Sequence, residues 1–152
     1  MHVADASRGE QDLLRLDRQV CFGLAVAARN VIALYRPLLE PMGLTHPQYL
    51  ALLALWERSP RSVGELAEAL ALDPGTLSPL LKRLDSAGLV DRRRVPGNER
   101  SLAVTLTAEG RALRARAEQI PPAIVERLGM GLDELEDLRA VLDRVIAASK
   151  SG

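Results

Sequence analysis

The stretch SVGELAEALALDPGTLSPLLKRLDSAGLVDRRRVPGNERSLAVTLT, Ser62 to Thr107, decides how this chain is read. Ser62 and Glu65 stand at the spacing of a capping box and open a first helix. Val63, Leu66, Ala67 and Leu70 then recur at i, i+3, i+4 and i+7, which is one apolar helical face. Asp73 can cap a second element with Pro74 in its first turn, and Leu77, Leu80, Leu81 and Leu84 repeat the spacing. Thr76, Ser78, Lys82 and Arg83 fall on the opposite side, and Gly88 supplies a helix stop. Leu89–Val95 and Ser101–Leu106 read as strands around a Pro-Gly-Asn turn. In the second, Leu102, Val104 and Leu106 alternate with smaller or polar residues, as a half-buried strand requires. Helix, turn, helix and basic hairpin in this order are a winged helix-turn-helix, whose second helix enters a DNA major groove with the hairpin alongside. Pro79 tests the second helix. A helix starting at Pro74 would lose a hydrogen bond and meet a clash one turn back, about 3 kcal/mol. The reading therefore places Thr76 as the effective cap, a tight turn at 73–75 and a regular helix from about Leu77.

Outward from this stretch the chain is mainly helical, an α+β fold. Leu13 to about Leu39 reads as one long helix, with Asp12 as its cap and Val20, Leu24, Ala27, Ala28 and Val31 on a broad apolar side. Pro37 should kink or end it, and Pro41 with Gly43 completes the break. Thr45 and Gln48 form a second capping box, and Leu50, Leu53, Ala54 and Trp56 carry that helix into the core until Ser59-Pro60. Thr107 caps a helix to about Gln119, Ile120-Pro121-Pro122 interrupts, and Asp133 to about Ala148 carries Leu135, Leu138, Val141, Leu142 and Val145 on one stripe. The winged unit needs only residues 62–107. The flanking segments 12–44 and 108–149 have apolar sides and little monomer core to cover, so they are expected to be dimerisation helices of one single-domain protein, 1–152. Two-fold symmetry then implies a pseudo-palindromic operator in double-stranded DNA, with half-sites about 10 bp apart or a multiple of that.

Composition is consistent with this. The chain has 152 residues and 47% hydrophobic content, enough for one substantial core. No uninterrupted apolar run reaches the roughly 18 residues of a membrane span, and MHVADASRGE reads as a tail and not a signal peptide. The expected location is cytoplasmic, without a membrane partner. Net charge is zero, but residues 74–101 carry +3 against −3 for the rest. Concentrated charge is what meets phosphate. Thr76, Ser78, Lys82 and Arg83 are the expected groove contacts, and Arg92, Arg94 and Arg100 the wing contacts. No P-loop, carboxylate pair or Ser/His/Asp set is visible, nor zinc-ligand spacing, so no enzyme, cofactor or metal is expected.

Cys21 is the single cysteine. From periodicity it is a small buried hydrophobe on an apolar helix. The chain resembles the MarR regulators, and within them the OhrR type that senses organic hydroperoxides. The resemblance covers about residues 12–148. It is carried by Gln19-Val20-Cys21-Phe22, Tyr35-Arg36-Pro37-Leu38-Leu39, Leu44 through Leu50, Leu55-Trp56-Glu57, Leu72 through Arg83, Asn98-Glu99-Arg100-Ser101 and Ile120-Pro121. It implies a repressor whose N-terminal cysteine thiolate is oxidised to a sulfenic acid by an organic hydroperoxide, the inducer. With one cysteine, the resemblance is to the subtype in which a small cellular thiol then forms a mixed disulfide, or a backbone nitrogen a cyclic sulfenamide, and DNA is released. Cys21 and Tyr35 lie 14 residues apart on one helix, roughly 21 Å along its axis. A Tyr35 that hydrogen-bonds a reactive Cys21 must therefore meet the other subunit's cysteine. Two positions depart from the family. His46 stands where a second tyrosine is usual; it either hydrogen-bonds the thiolate, lowering its pKa further if protonated, or faces solvent at the helix start. Asn98 stands where a wing acid usually orients an arginine. Tyr49 reads as core with a possible place lining the pocket. Two competitors are a MarR-type repressor released by a small aromatic or phenolic ligand, and a thiol peroxidase using Cys21.

Overall fold

The computed structural model describes residues 12–95 and 97–150; the side chains of 95 and 98–101 lie outside the described set, as does the tail read at residues 1–10. Among the described residues, seven α-helices and three short strands follow in order: α1 Val20–Leu39, α2 His46–Glu57, β1 Arg61–Ser62, α3 Val63–Leu70, α4 Pro74–Ser86, β2 Val90–Val95, β3 Asn98–Leu106, α5 Ala108–Ala117, α6 Ile120–Leu128 and α7 Leu132–Ser149. The strands form one antiparallel sheet in the order β1-β3-β2. This is the winged helix-turn-helix expected from the sequence, set between long terminal helices.

The helix starts follow local chemistry. Thr45 and Gln48 make the reciprocal capping box: the Gln48 N–H donates to Thr45 Oγ1, and the Thr45 N–H to Gln48 Oε1 at 3.0 Å. Ser62 Oγ accepts from the Glu65 N–H at 3.0 Å, and Thr107 Oγ1 from the Gly110 N–H at 3.1 Å. Pro121 and Pro122 sit in the first turn of α6, where a missing N–H leaves no bond unmade. The core gathers one face of each inner helix and the inner face of the sheet. Leu39, Leu52, Leu55, Leu66, Leu77, Leu81, Leu84, Val90, Val104 and Ile120 are its fully buried side chains. At roughly 2 kcal/mol for each large aliphatic side chain removed from water, they are the main source of stability.

Several expected boundaries move. The long helix starts at Val20, not Leu13. Asp12 caps only a local turn, accepting from the Leu14 N–H, and the Gln19 side-chain amide donates to the Leu13 and Arg15 carbonyls, closing a short 3-10 turn ahead of the helix. Pro37 neither ends nor interrupts α1; it lies inside the last turn. The carbonyl it leaves without a donor belongs to Ala33, and both residues are exposed, so solvent can take that role. The break comes at the 3-10 turn Glu40–Met42 and at Gly43, whose φ of 71° is left-handed. Segment Val20–Met42 is long and apolar enough to cross a membrane by length and composition; Arg29 and Arg36 break the uninterrupted run but leave the average high. Leu53, expected in the core, is 38% exposed, and Tyr49, Ala51, Leu52, Ala54 and Leu55 are the buried residues of α2.

The second helix of the motif begins at Pro74, not Leu77. Asp73, not Thr76, is the cap. Pro79 removes only the bond to the Gly75 carbonyl, which sits in the exposed first turn and can be hydrated. In the wing, β2 starts at Val90, while Leu89 donates to the Leu84 carbonyl to close the end of α4. Asn98 is paired with Val95 across the hairpin and belongs to β3 instead of the turn. Strand β1 is not visible in the sequence, because two residues carry no alternation to read; it pairs Arg61 with Val104 and Ser62 with Ala103.

Candidate nucleic-acid interface and thiol site

Helix α4 is built to show one face. Leu77, Leu81 and Leu84 are buried, which turns Ser78, Lys82 and Arg83 outward, all exposed. Gly75 and Pro79 fall between these flanks on the outward side and leave its centre without bulk. Thr76 is exposed too, but its hydroxyl proton is committed. It donates to Asp73 Oδ2 at 2.9 Å, while the Thr76 N–H donates to Oδ1 at 2.9 Å. These bonds, the backbone one foremost, hold the Asp73 carboxyl below its ordinary pKa. Thr76 can offer a DNA base only its lone pairs.

The wing arginines divide. Arg93 and Arg94 are exposed, on opposite faces of β2. Arg92 shares the inner face with Val90, opposite the buried Val104. Its Nε donates to Asp85 Oδ2 at 3.0 Å, and its side chain is 27% exposed. The sequence groups Arg92 with the DNA contacts; the structure pairs it with α4. Nothing local signals this, because Asp85 and Arg92 come together only through the chain reversal at Gly88, where φ is 78°. The side chain of Arg100, the third wing candidate, lies outside the described residues.

Cys21, read from periodicity as buried, is exposed within the chain, at the second position of α1. The structure brings Tyr35 and His46 together, with ring centroids 4.9 Å apart and planes at 61°. Tyr49 completes a cluster at 5.8 Å from Tyr35 and 6.5 Å from His46. Tyr49, read as core, is only 3% exposed and belongs to both settings. Burial raises the pKa of Tyr35; burial first, then the charge of Tyr35, raises that of Tyr49. Burial lowers the pKa of His46, so the imidazole is favoured neutral. A hollow of about 420 Å³ opens beside His46, lined by Arg29, Ile32, Arg36, Leu39 and Leu44. A second, of about 340 Å³, lies between α2 and the α5–α6 corner, lined by Tyr49, Leu53, Trp56, Arg114 and Pro121. Cys21 does not join the cluster within the chain. Continuous helix separates it from Tyr35 by roughly 21 Å.

A junction that the sequence does not disclose ties these regions. Trp56 Nε1 on α2 donates to the Gly110 carbonyl on α5 at 2.9 Å. A Cβ on Gly110 would lie 2.2 Å from the Leu89 carbonyl oxygen at the wing base. Only glycine lets α5 seat this closely, and a glycine inside an apparently ordinary helix gives no sign of it.

With this geometry established, comparison with known proteins is direct. Residues 44–102 match the model of the MarR family. The chain is 42% identical to the organic hydroperoxide resistance transcriptional regulator of Bacillus subtilis over 84% of its own length and 85% of the relative's. It is 44% identical to the HTH-type transcriptional regulator TtmR of Methylorubrum extorquens, over 90% of this chain and 69% of that one. Among solved structures, reduced AbfR bound to DNA, a protein also solved from Staphylococcus epidermidis, superposes with a TM-score of 0.79 at 32% identity, covering 93% of this chain and 97% of that one. The exposed face of α4, the basic wing beside it and this likeness lead to one conclusion: the chain is a DNA-binding transcriptional regulator of the MarR family.

Proposed function

We propose that this regulator is a homodimeric repressor that leaves its operator when an organic hydroperoxide oxidises Cys21. The observation that carries the reading is the separation of Cys21 from the Tyr35–His46–Tyr49 cluster along one helix. A cysteine at one end and its hydrogen-bonding groups at the other complete each other only when two chains run antiparallel. Open apolar surface on the segments 12–44 and 108–149 supports that pairing: Val20, Phe22 and Leu24 on α1, and Leu138, Val141 and Val145 on α7, are all exposed within the chain. Thr76, Ser78, Lys82 and Arg83 read the major groove, and Arg94 and Arg100 meet the backbone or minor groove of a pseudo-palindromic site.

The chemistry needs no cofactor. The Cys21 thiolate attacks the distal peroxide oxygen, an S–O bond forms, the O–O bond breaks, and the alkoxide takes a proton and departs as the alcohol. A small cellular thiol then condenses with the sulfenic acid, forming a mixed disulfide and releasing water. Each chain reacts once, so the protein acts as a sensor and not as a turnover enzyme, and its work beside DNA places it in the cytoplasm. His46, favoured neutral by burial, serves as a hydrogen-bond partner and not as a positive charge. Mass spectrometry of Cys21 after peroxide treatment, with DNA binding measured on the same sample, tests this. Oxidation of Cys21 in step with release is expected; a Cys21→Ser protein that still releases DNA on peroxide overturns it. The hollow lined by Tyr49, Trp56 and Arg114 favours a second reading, release by a small aromatic acid. Release of the Cys21→Ser protein by such an acid, without peroxide, would select it.

A further inference from the structure

We infer that Arg92 is a positioning residue for DNA binding, acting through Asp85, and not a phosphate contact. Three observations place it there. Arg92 Nε donates to Asp85 Oδ2 at 3.0 Å, and both side chains are partly covered, 27% and 38% exposed. Arg92 and Ser78 line one small hollow of about 150 Å³ with Val63, Leu81 and Leu102, so the arginine stem lies between α3, α4 and the wing, not out over the basic surface. Asp85 sits in the last turn of α4, where the helix dipole disfavours an acid, and the guanidinium restores the balance there. The pair bridges the end of the groove-reading helix and the base of the wing. It fixes the angle at which the wing, and Arg94 with it, is offered to the DNA whose groove Lys82 and Arg83 face.

The sign of one substitution separates this from ordinary electrostatics. Asp85 is an acid beside a DNA-facing surface, so Asp85→Asn should tighten binding if charge alone mattered. Positioning requires the opposite. The probe is a duplex enriched by the unaltered full chain from a random-sequence pool, titrated across a salt series. Asp85→Asn and Arg92→Gln are each expected to weaken binding about fivefold, the scale of a well-made ion pair. Both should leave the slope of log Kd against log salt unchanged, whereas Arg94→Gln should lower it by about 0.9 for each phosphate that is no longer neutralised. Arg92→Lys, which keeps a donor cation within reach of Asp85, should restore most of the affinity; it also serves as the check should Arg92→Gln melt early. Tighter or unaltered binding by Asp85→Asn overturns the inference. So does a fall in slope for Arg92→Gln equal to that for Arg94→Gln.

Discussion

The winged unit and the last helix, α7, treat apolar side chains in opposite ways. In the unit, Leu66, Leu77, Leu81, Leu84 and Val104 are all at or below 1% exposure, closed over by their own neighbours. In α7, no side chain is buried, and Leu138, Val141 and Ile146 stand 46–50% open. Both α4 and α7 carry an apolar stripe at helical spacing, so the stripe alone does not separate them. What differs is whether the chain itself supplies the opposing face. A motif that closes on itself can be read from its own spacing. A stripe that needs a second body has no local partner to confirm it, and its meaning comes from what covers it.

Truncation in each region sharpens that difference. Leu81→Ala should cost about 2–5 kcal/mol, because a fully packed site cannot collapse around the missing atoms. The loss should be independent of protein concentration in urea denaturation. Leu138→Ala should instead make the melting temperature depend more steeply on concentration, as expected when folding is linked to pairing. A concentration-independent loss at Leu138 would break the comparison. Next in size is Gly110→Ala. Its Cβ would press on the Leu89 backbone oxygen, and stability should fall by about 1–3 kcal/mol where the wing meets α5; urea unfolding measures it.

A pH effect follows from the aromatic cluster. Burial holds the folded-state pKa of His46 below its ordinary 6.5. Above that pH both states hold a neutral ring and nothing is lost. As pH falls below 6.5 the unfolded chain takes up the proton first, so stability declines towards the lower folded value. Thermal melts between neutral and mildly acid pH should show this decline, and His46→Phe should flatten it. The smallest effect lies at Ala71, which closes α3 with φ of 54°. Ala71→Gly relieves a left-handed alanine and should stabilise by about 1 kcal/mol or less, read as a modest rise in melting temperature.

How far the sequence is legible follows the same division. Leu77, Leu81 and Leu84 announce their helix because each lies one turn from the next, and Thr45 with Gln48 marks a start through a bond spanning three residues. The start of α4 is misplaced when Pro79 is weighed as a break, because the capping strength of Asp73 and an exposed Gly75 carbonyl decide otherwise. Arg92 looks like its neighbours Arg93 and Arg94 because a triplet in sequence does not say which member reaches Asp85. The Trp56–Gly110 bond joins residues 54 positions apart and leaves no periodic trace. Tyr35 and His46 stand out only through a family pattern; their contact at 4.9 Å, and the place of Tyr49 beside them, need the turn at Gly43.

Trp56 is the chain's only tryptophan. Its indole N–H ends on the Gly110 carbonyl, at the corner where α2, α5 and the base of the wing converge. The protein thus carries a built-in optical gauge of that corner. A shift of α5 against α2 must stretch or break the indole bond and change the polarity around the ring. Its emission wavelength and quenching by iodide will therefore report, without any label, whether α5 and the wing base shift against α2 when the protein is treated with peroxide and when DNA is bound.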